Sequence, residues 1–264
     1  MADIPTTSLA GRRALVCGAS RGIGRATALA LAAAGAEVTA LARTEDALVS
    51  LVTEIERAGG TARALAADLD DRDGLRTAIA VLLGATGDHH ILINNTGGPK
   101  GGPLVAAAEE ELSVAFGRHV LASHALVQAL LPGMTEAGYG RIVNVVSTSV
   151  REPIPNLGVS NTIRGAMASW AKSLSRELPP GVTINNVLPG FTDTDRLGQL
   201  AQARALREDG SVDGVYTAWI GQVPEGRLAR PEETAAAIAW LCSPAAAYIR
   251  GVSLPVDGGR LRSI

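Results

Sequence analysis

In the run Cys17-Gly18-Ala19-Ser20-Arg21-Gly22-Ile23-Gly24, three glycines crowd together directly ahead of an alanine-rich stretch. Glycine permits a tight turn and lets backbone N–H groups approach a pyrophosphate at the start of a helix. A glycine cluster alone says little, but one joining a first strand to a first helix is the pattern of a dinucleotide site. Gly18, Ser20, Arg21, Gly22, Ile23 and Gly24 are therefore candidate cofactor contacts. At the end of the next apolar run the chain reads Ala42-Arg43-Thr44. An NAD-selective site would place a carboxylate there to hold the ribose hydroxyls, whereas a guanidinium without that acid favours a 2′-phosphate. Arg43 and Thr44, with Arg21 in the turn, thus point to NADP(H). A solvated charge at a strand end is the plainer account of Arg43, but it leaves the missing acid unexplained.

Positioning these residues takes a scaffold that alternates strand and helix. Short apolar runs bounded by turn residues predict strands at 14–17, 37–42, 61–66, 91–94, 141–146, 182–187 and 251–256. Between them, stretches of helical length and spacing lie at 23–34, 45–58, 72–83, 109–137, 156–178 and 231–241. The last opens with Pro231-Glu232-Glu233, which suits a first helical turn. Parallel strands need crossover connections. The alternation therefore predicts an α/β, Rossmann-type, doubly wound parallel sheet of seven strands with helices on both faces. No internal repeat or linker interrupts residues 1–264, which read as one NADP(H)-binding domain. One irregular region, about 193–230, carries Gly198, Gly210, Gly214, Gly221, Pro224 and Gly226 around helical pieces. It follows a strand's C-terminal end, where ligands bind in open α/β sheets. It reads as a mobile substrate lid carrying Tyr216 and Trp219, with an oligomer contact as the alternative.

Composition narrows the function classes. Of 264 residues, 47% are hydrophobic and only 3% aromatic, so the core must be built from Ala, Val, Leu and Ile. A formal charge of −2 gives no electrostatic reason to expect nucleic acid or an anionic membrane as partner. Cys17 and Cys242 form neither a disulfide framework nor a ligand-spaced cluster, and no metal is expected. The N-terminus lacks the pattern of a signal peptide, and no uncharged apolar run approaches the ~20 residues of a membrane span. The expectation is a soluble, cytoplasmic protein.

Further motifs follow in order: Asp68-Leu69 after the third strand and Asn94-Asn95-Thr96-Gly97 after the fourth, then Gly140-Arg141-Ile142-Val143-Asn144. Asn185-Asn186-Val187-Leu188-Pro189-Gly190 and Val256-Asp257-Gly258-Gly259 complete the series. With the glycine turn, they resemble the short-chain dehydrogenase/reductase family over residues 11–259. The resemblance implies that Asp68 and Leu69 contact the adenine. It implies that Asn94 and Gly97, with Asn95 and Thr96 between them, line the adenosine side and brace the central strand. Pro189, Gly190, Thr192 and Thr194 would hold the nicotinamide carboxamide and diphosphate. Thr96 stands where the family usually has Ala. A small-molecule substrate and a homotetramer or homodimer built on the two long helices are also implied.

The same resemblance exposes a departure. The family's carbonyl chemistry uses a Ser, a Tyr and a Lys, supported by an Asn on the preceding long helix. Counted from Gly140-Arg141-Ile142, the Ser falls on Ser147, but the Tyr falls on Ser160, the Lys on Arg164 and the Asn on His119. No tyrosine lies between Tyr139 and Tyr216, so a slip in register does not restore the motif. The Ser160 alcohol is far less acidic than a phenol and reaches less far. Arg164, at i+4 on the same helical face, can donate to ribose hydroxyls but cannot relay a proton. His119 is a candidate proton donor if it faces the cleft, although a histidine on a long helix is more often packed or solvated. Lys100, Thr148 and Ser149 are nearby candidates, and water can supply the proton to an easily reduced substrate. Arg164 can also clamp an anionic substrate group.

Three readings follow. The first is an NADPH-dependent oxidoreductase that reduces a carbonyl or other activated C=X group without the Tyr/Lys pair. Resemblance is greatest to 3-oxoacyl-carrier-protein reductases, which makes a β-keto or cyclic ketone substrate the default. The second is a lyase, isomerase or cyclase on the same scaffold, and the third a non-catalytic NADP(H)-binding protein.

Overall fold

Alternate residues of the first apolar run face opposite ways. In the computed structural model, which describes residues 6–263, β1 (Arg13–Cys17) sends Ala14 and Val16 into one buried cluster and Leu15 and Cys17 into another. A strand covered on both faces requires this two-residue period. The other strands are β2 (Glu37–Ala42), β3 (Thr61–Ala66), β4 (Ile91–Asn94), β5 (Gly140–Val145), β6 (Val182–Pro189) and β7 (Ser253–Val256). Together they form one parallel sheet in the order β3-β2-β1-β4-β5-β6-β7. This is the seven-stranded, doubly wound Rossmann-type sheet expected from the sequence. The order reverses between β1 and β4, opening a crevice beyond the C-terminal ends of the strands.

One face is covered by α1 (Gly22–Ala33), α2 (Glu45–Arg57) and α9 (Pro231–Cys242), through residues such as Leu31, Leu51 and Ile238. The other is covered by α3 (Arg72–Thr86), α5 (Ala122–Glu136) and α6 (Gly158–Leu174), through Ile79, Leu130 and Ala171. Helix α6 is shorter than the expected 156–178 at both ends: it starts late because Asn156 is left-handed at φ 59° and lies outside any helix, and it gives way to a turn after Leu174.

The expected helix at 109–137 is a continuous 28-residue rod with a flaw in it. It runs as α4 (Glu109–Phe116), a π-helical turn at Gly117–Leu121, and α5. By length and composition this rod is apolar enough to cross a membrane, but 56% of its most apolar window is buried, as befits a core helix. The π turn widens the helix locally and carries His119 and Val120 inward.

The irregular region holds α7 (Asp195–Arg207) and α8 (Val212–Ile220), which share a separate small core of Leu197, Ala201, Val215 and Trp219. Its base is pinned by backbone bonds from Asp193 N to Ala229 O (2.8 Å) and from Ala229 N to Phe191 O (2.9 Å). Near the C-terminal ends of the strands, Asn94, Asn144 and Asn186 occupy matched register positions on β4, β5 and β6. Asn94 Nδ2 donates to Asn144 Oδ1 (2.8 Å), Asn144 Nδ2 to Asn186 Oδ1 (2.9 Å), and Asn186 Nδ2 to Ser253 Oγ (3.1 Å). This buried ladder pairs the amides inside the sheet, save for Asn94 Oδ1, which has no partner, and ties β4, β5, β6 and β7 together next to the crevice.

Candidate active site

A cleft of about 850 Å³ opens beyond the strand ends and is walled by the segments that follow all seven strands. After β1, Gly18 and Gly22 take left-handed backbone angles (φ 62° and 55°) that side chains other than glycine's rarely tolerate. A Cβ on Gly18 would lie 2.6 Å from Asn95 Nδ2, and one on Gly24 would meet the same atom and overlap the Gly18 carbonyl. Asn95 Nδ2 itself donates to Cys17 O (3.2 Å) and Gly18 O (3.3 Å), so the β4 loop braces the glycine turn. Gly18, Ser20, Arg21, Gly22 and Ile23 line the cleft, while Gly24 lies behind them as a packing residue.

Helix α1 begins without the usual stabilisers. Its N-cap, Arg21, makes no side-chain cap and no acid occupies its first turn. By contrast α2 and α9 begin with paired acids, and α3 is capped by Asp71. The first N–H groups of α1 thus retain their partial positive charge toward the cleft, the arrangement that receives an anion.

Beyond β2, Arg43 and Thr44 are exposed at the cleft rim, and Asp68 and Leu69 follow β3. The nearby carboxylate of Asp70 is already engaged. Arg118 donates to it from Nε (2.7 Å to Oδ1) and from Nη2 to Oδ2. That hydrogen bond holds Asp70 below its ordinary pKa, with a smaller electrostatic pull from Arg43. Arg43 is left without an acid of its own, which matches the expected preference for a phosphate.

Across the crevice, Thr96 and Gly97 follow β4, Ser147 and Thr148 follow β5, and Pro189, Gly190, Thr192 and Thr194 follow β6. Ser147 Oγ accepts from Ser149 N (3.1 Å) and thereby caps a short 3₁₀ turn. Ser160 and Arg164 project from α6 into the same space. Arg164 donates to Val145 O (2.8 Å) and Thr96 O (3.4 Å), joining the ends of β5 and β4. Burial, then the charge of Arg196, lowers its pKa to about 10, which leaves it protonated at neutral pH.

Other expected residues are held elsewhere. His119 is 2% exposed and does not line the cleft. Burial first, then the charges of Arg164 and Arg118, pushes its pKa down to about 2, so its imidazole is neutral at physiological pH. The condition attached to a proton-donor role, a histidine facing the cleft, is not met by this geometry. Lys100 is exposed and outside the cleft wall, and Ser149 is buried behind it. Trp219 lines the cleft and stacks on Phe191 at 5.2 Å, while Tyr216 packs edge-on behind Trp219.

Five cleft arginines were not singled out from the sequence: Arg118, Arg196, Arg204, Arg207 and Arg260. Arg204 and Arg207 share the carboxylate of Glu208, which leaves Arg118, Arg196 and Arg260 as those nearest the expected motifs. Each adjoins a motif, next to His119, two residues past Thr194 and directly after Gly259, but side chains of this type are usually solvated. Among the described residues, no group of three His, Cys, Asp or Glu is placed to hold a metal ion. Cys17 and Cys242 are buried free thiols, pushed up to about 12 by desolvation.

Residues 18–260 match the family described as enoyl-(acyl carrier protein) reductase. The chain is 35% identical over 255 residues to a 3-oxoacyl-[acyl-carrier-protein] reductase of Vibrio cholerae, covering 96% of this chain and 98% of that protein. It is 35% identical to the short-chain reductase protein NovJ of Streptomyces niveus, covering 94% and 93% of the two chains. Among solved structures, L-sorbose reductase of Gluconobacter frateurii, complexed with NADPH and L-sorbose, superposes with a TM-score of 0.91 at 28% identity over 98% and 99% of the chains. A 3-oxoacyl (acyl-carrier-protein) reductase of Agrobacterium tumefaciens with NADP bound gives 0.86 at 28% identity over 96% and 95%.

Proposed function

The chain belongs to the short-chain dehydrogenase/reductase family, and from that premise we propose that it is an NADPH-dependent reductase working without the family's Tyr/Lys pair. One observation carries the reading: a single cleft joins the uncapped, glycine-built start of α1 and the acid-free Arg43 to Ser147 on the opposite wall. NADPH supplies hydride when bound. The start of α1 holds its diphosphate, Arg43 and Thr44 its 2′-phosphate, and Asp68 and Leu69 its adenine. Asn95, Thr96 and Gly97 support the adenosine side, and Pro189, Gly190, Thr192 and Thr194 the nicotinamide side. Arg164, anchored on the Val145 and Thr96 carbonyls, would turn a remaining N–H to the ribose hydroxyls.

Ser147 orients the substrate oxygen, and Ser160 offers a second hydroxyl beside it. Neither alcohol is acidic enough to donate the proton outright, since a serine lacks the acidity of a phenol with its pKa of about 10. The proton therefore comes from water through these hydroxyls, and the substrate is a carbonyl or other C=X group already activated toward hydride. Residues 193–230 act as the lid, with Trp219 as its inner face, and the protein works in the cytoplasm as a homotetramer or homodimer packed through its two long helices.

NADPH fluorescence titration, followed by NADPH consumption against a panel of activated ketones and imines, tests the reading. Binding together with turnover is expected. Tight binding without turnover would favour the second reading, a lyase, isomerase or cyclase. That reading draws on one observation: no tyrosine lines the cleft among the described residues. Ketone reductase activity that appears only in the Ser160→Tyr/Arg164→Lys double variant would point the same way.

A further inference from the structure

Two guanidinium groups meet over Gly98 with no acid between them. The position a Cβ would take on Gly98 lies 3.6 Å from Arg196 Nη2 and 3.8 Å from Arg164 Nη2. Both side chains are held by carbonyls alone, Arg164 by Val145 and Thr96 and Arg196 by Pro99. Among the described residues neither takes part in an ion pair. Two like charges drawn out of water repel each other and lose hydration, an arrangement that becomes favourable once an anion lies between them.

A third cation reinforces the field. Arg260 donates to Thr148 Oγ1 (2.9 Å) and lies 4.7 Å over the Phe191 ring, and its buried Nε has no hydrogen-bond partner. Eight arginines and three carboxylates line the cleft, in a chain of net charge −2, so the positive potential is concentrated there. Two of the three carboxylates are spoken for: Asp195 faces Arg21, and Glu208 is shared by Arg204 and Arg207.

We infer that the substrate is an anion, a carboxylate or phosphate ester, whose charged end lies between Arg164 and Arg196 while its reducible group points toward Ser147. The inference rests on the reductase reading given above. The nucleotide's own phosphates are the competing source of the anion, and the layout favours the substrate. The start of α1 and Arg43 lie on the β1–β2 side of the crevice. Arg164 is anchored on β5, and Arg260 on Thr148, the residue after Ser147. Phe191, Leu200 and Trp219 supply an apolar wall on this side for the rest of the molecule.

Guanidinium pairing also has a chemical consequence. Neutralising a carboxylate next to a ketone makes that ketone a better hydride acceptor, which suits a cleft without a phenol. The carbonyl carbon would take the hydride of bound NADPH, which leaves as NADP⁺, while the carbonyl oxygen would take a proton from water and the resulting hydroxide would pass to solvent.

Matched pairs test this on the NADP⁺-bound protein, which has no hydride to give: pyruvate and methyl pyruvate, benzoylformate and its methyl ester, dihydroxyacetone phosphate and dihydroxyacetone. Affinities are read by calorimetry or thermal shift, independently of turnover. At least one anion should bind about tenfold or more tightly than its neutral partner, and Arg196→Gln should erase most of that advantage. In the same variant, NADPH affinity should stay within about threefold of wild type. Equal binding of anion and neutral partner throughout the panel would overturn the inference. So would an Arg196→Gln variant that loses NADPH affinity but keeps its preference for the anion, because the pair would then serve the nucleotide. Failure of the wild-type protein to bind NADPH at all would instead bring down the reductase reading itself.

Discussion

On the β1–β2 side of the cleft, the wall is built largely from backbone. Glycines remove side chains so that amides are left open to the cleft, Asn95 braces the turn from behind, and the charges of Arg21 and Arg43 stand at its rim. On the β5–β6 side the wall is built from side chains: Ser147, Ser160, and arginines that reach in from α6, α7 and the segment after β7. A backbone device tolerates almost no substitution, because an added Cβ collides. A side-chain device can be rebuilt one residue at a time without disturbing the sheet. On the proposed reading, that difference would let the reaction half change while the nucleotide half keeps its glycine turn.

The comparison can be broken most directly at Gly24. A methyl group there overlaps the Gly18 carbonyl and crowds Asn95 Nδ2. Gly24→Ala should therefore weaken NADPH binding by at least about 100-fold, roughly 3 kcal/mol, with far-UV circular dichroism unchanged. Fluorescence titration that gave wild-type affinity would show that the turn is not the nucleotide seat.

A smaller effect is expected at Arg43, where a charge-assisted contact to phosphate is worth about 1.5–3 kcal/mol. Arg43→Ala should weaken NADPH by about 10- to 100-fold and leave NADH nearly unchanged. Equal losses for the two nucleotides would remove Arg43 from 2′-phosphate recognition.

The smallest effect sharpens the reaction half. The folded protein holds His119 near a pKa of about 2, against an ordinary value of 6.5. As pH falls below about 6.5 the unfolded chain takes up this proton and the folded protein does not. The stability contribution is therefore complete above that pH and declines below it, by up to about 1.4 kcal/mol per pH unit. His119→Asn should flatten the fall in unfolding free energy between pH 6 and pH 5 by about that amount in urea titrations. His89, pushed down to about 4 by burial, adds to the same trend and stays in both proteins. An unchanged slope would mean that His119 titrates in the folded state and is available for acid–base work after all.

Much of this molecule was legible before its structure. The short, turn-bounded apolar run of β1 and the Gly18-x-x-x-Gly22-x-Gly24 spacing act over a few neighbours, so they can be read directly from the chain. Element ends were less legible: the start of α6 was set by the left-handed Asn156, and the long helix concealed a π turn with no local signature. The same turn holds His119 buried and outside the cleft lining, where counting from Gly140 could not place it.

The sequence by itself determined the doubly wound sheet, the nucleotide turn and the absence of a phenol between Tyr139 and Tyr216. Periodicity, steric exclusion at glycines and the mere identity of a residue are local properties, complete in the string of letters. Tertiary structure alone decided that Arg118 would neutralise Asp70, that His119 would be buried and neutral, and that Arg164 and Arg196 would converge on Gly98. Burial and charge pairing depend on distances between residues far apart in the chain, and only the closed fold sets those distances.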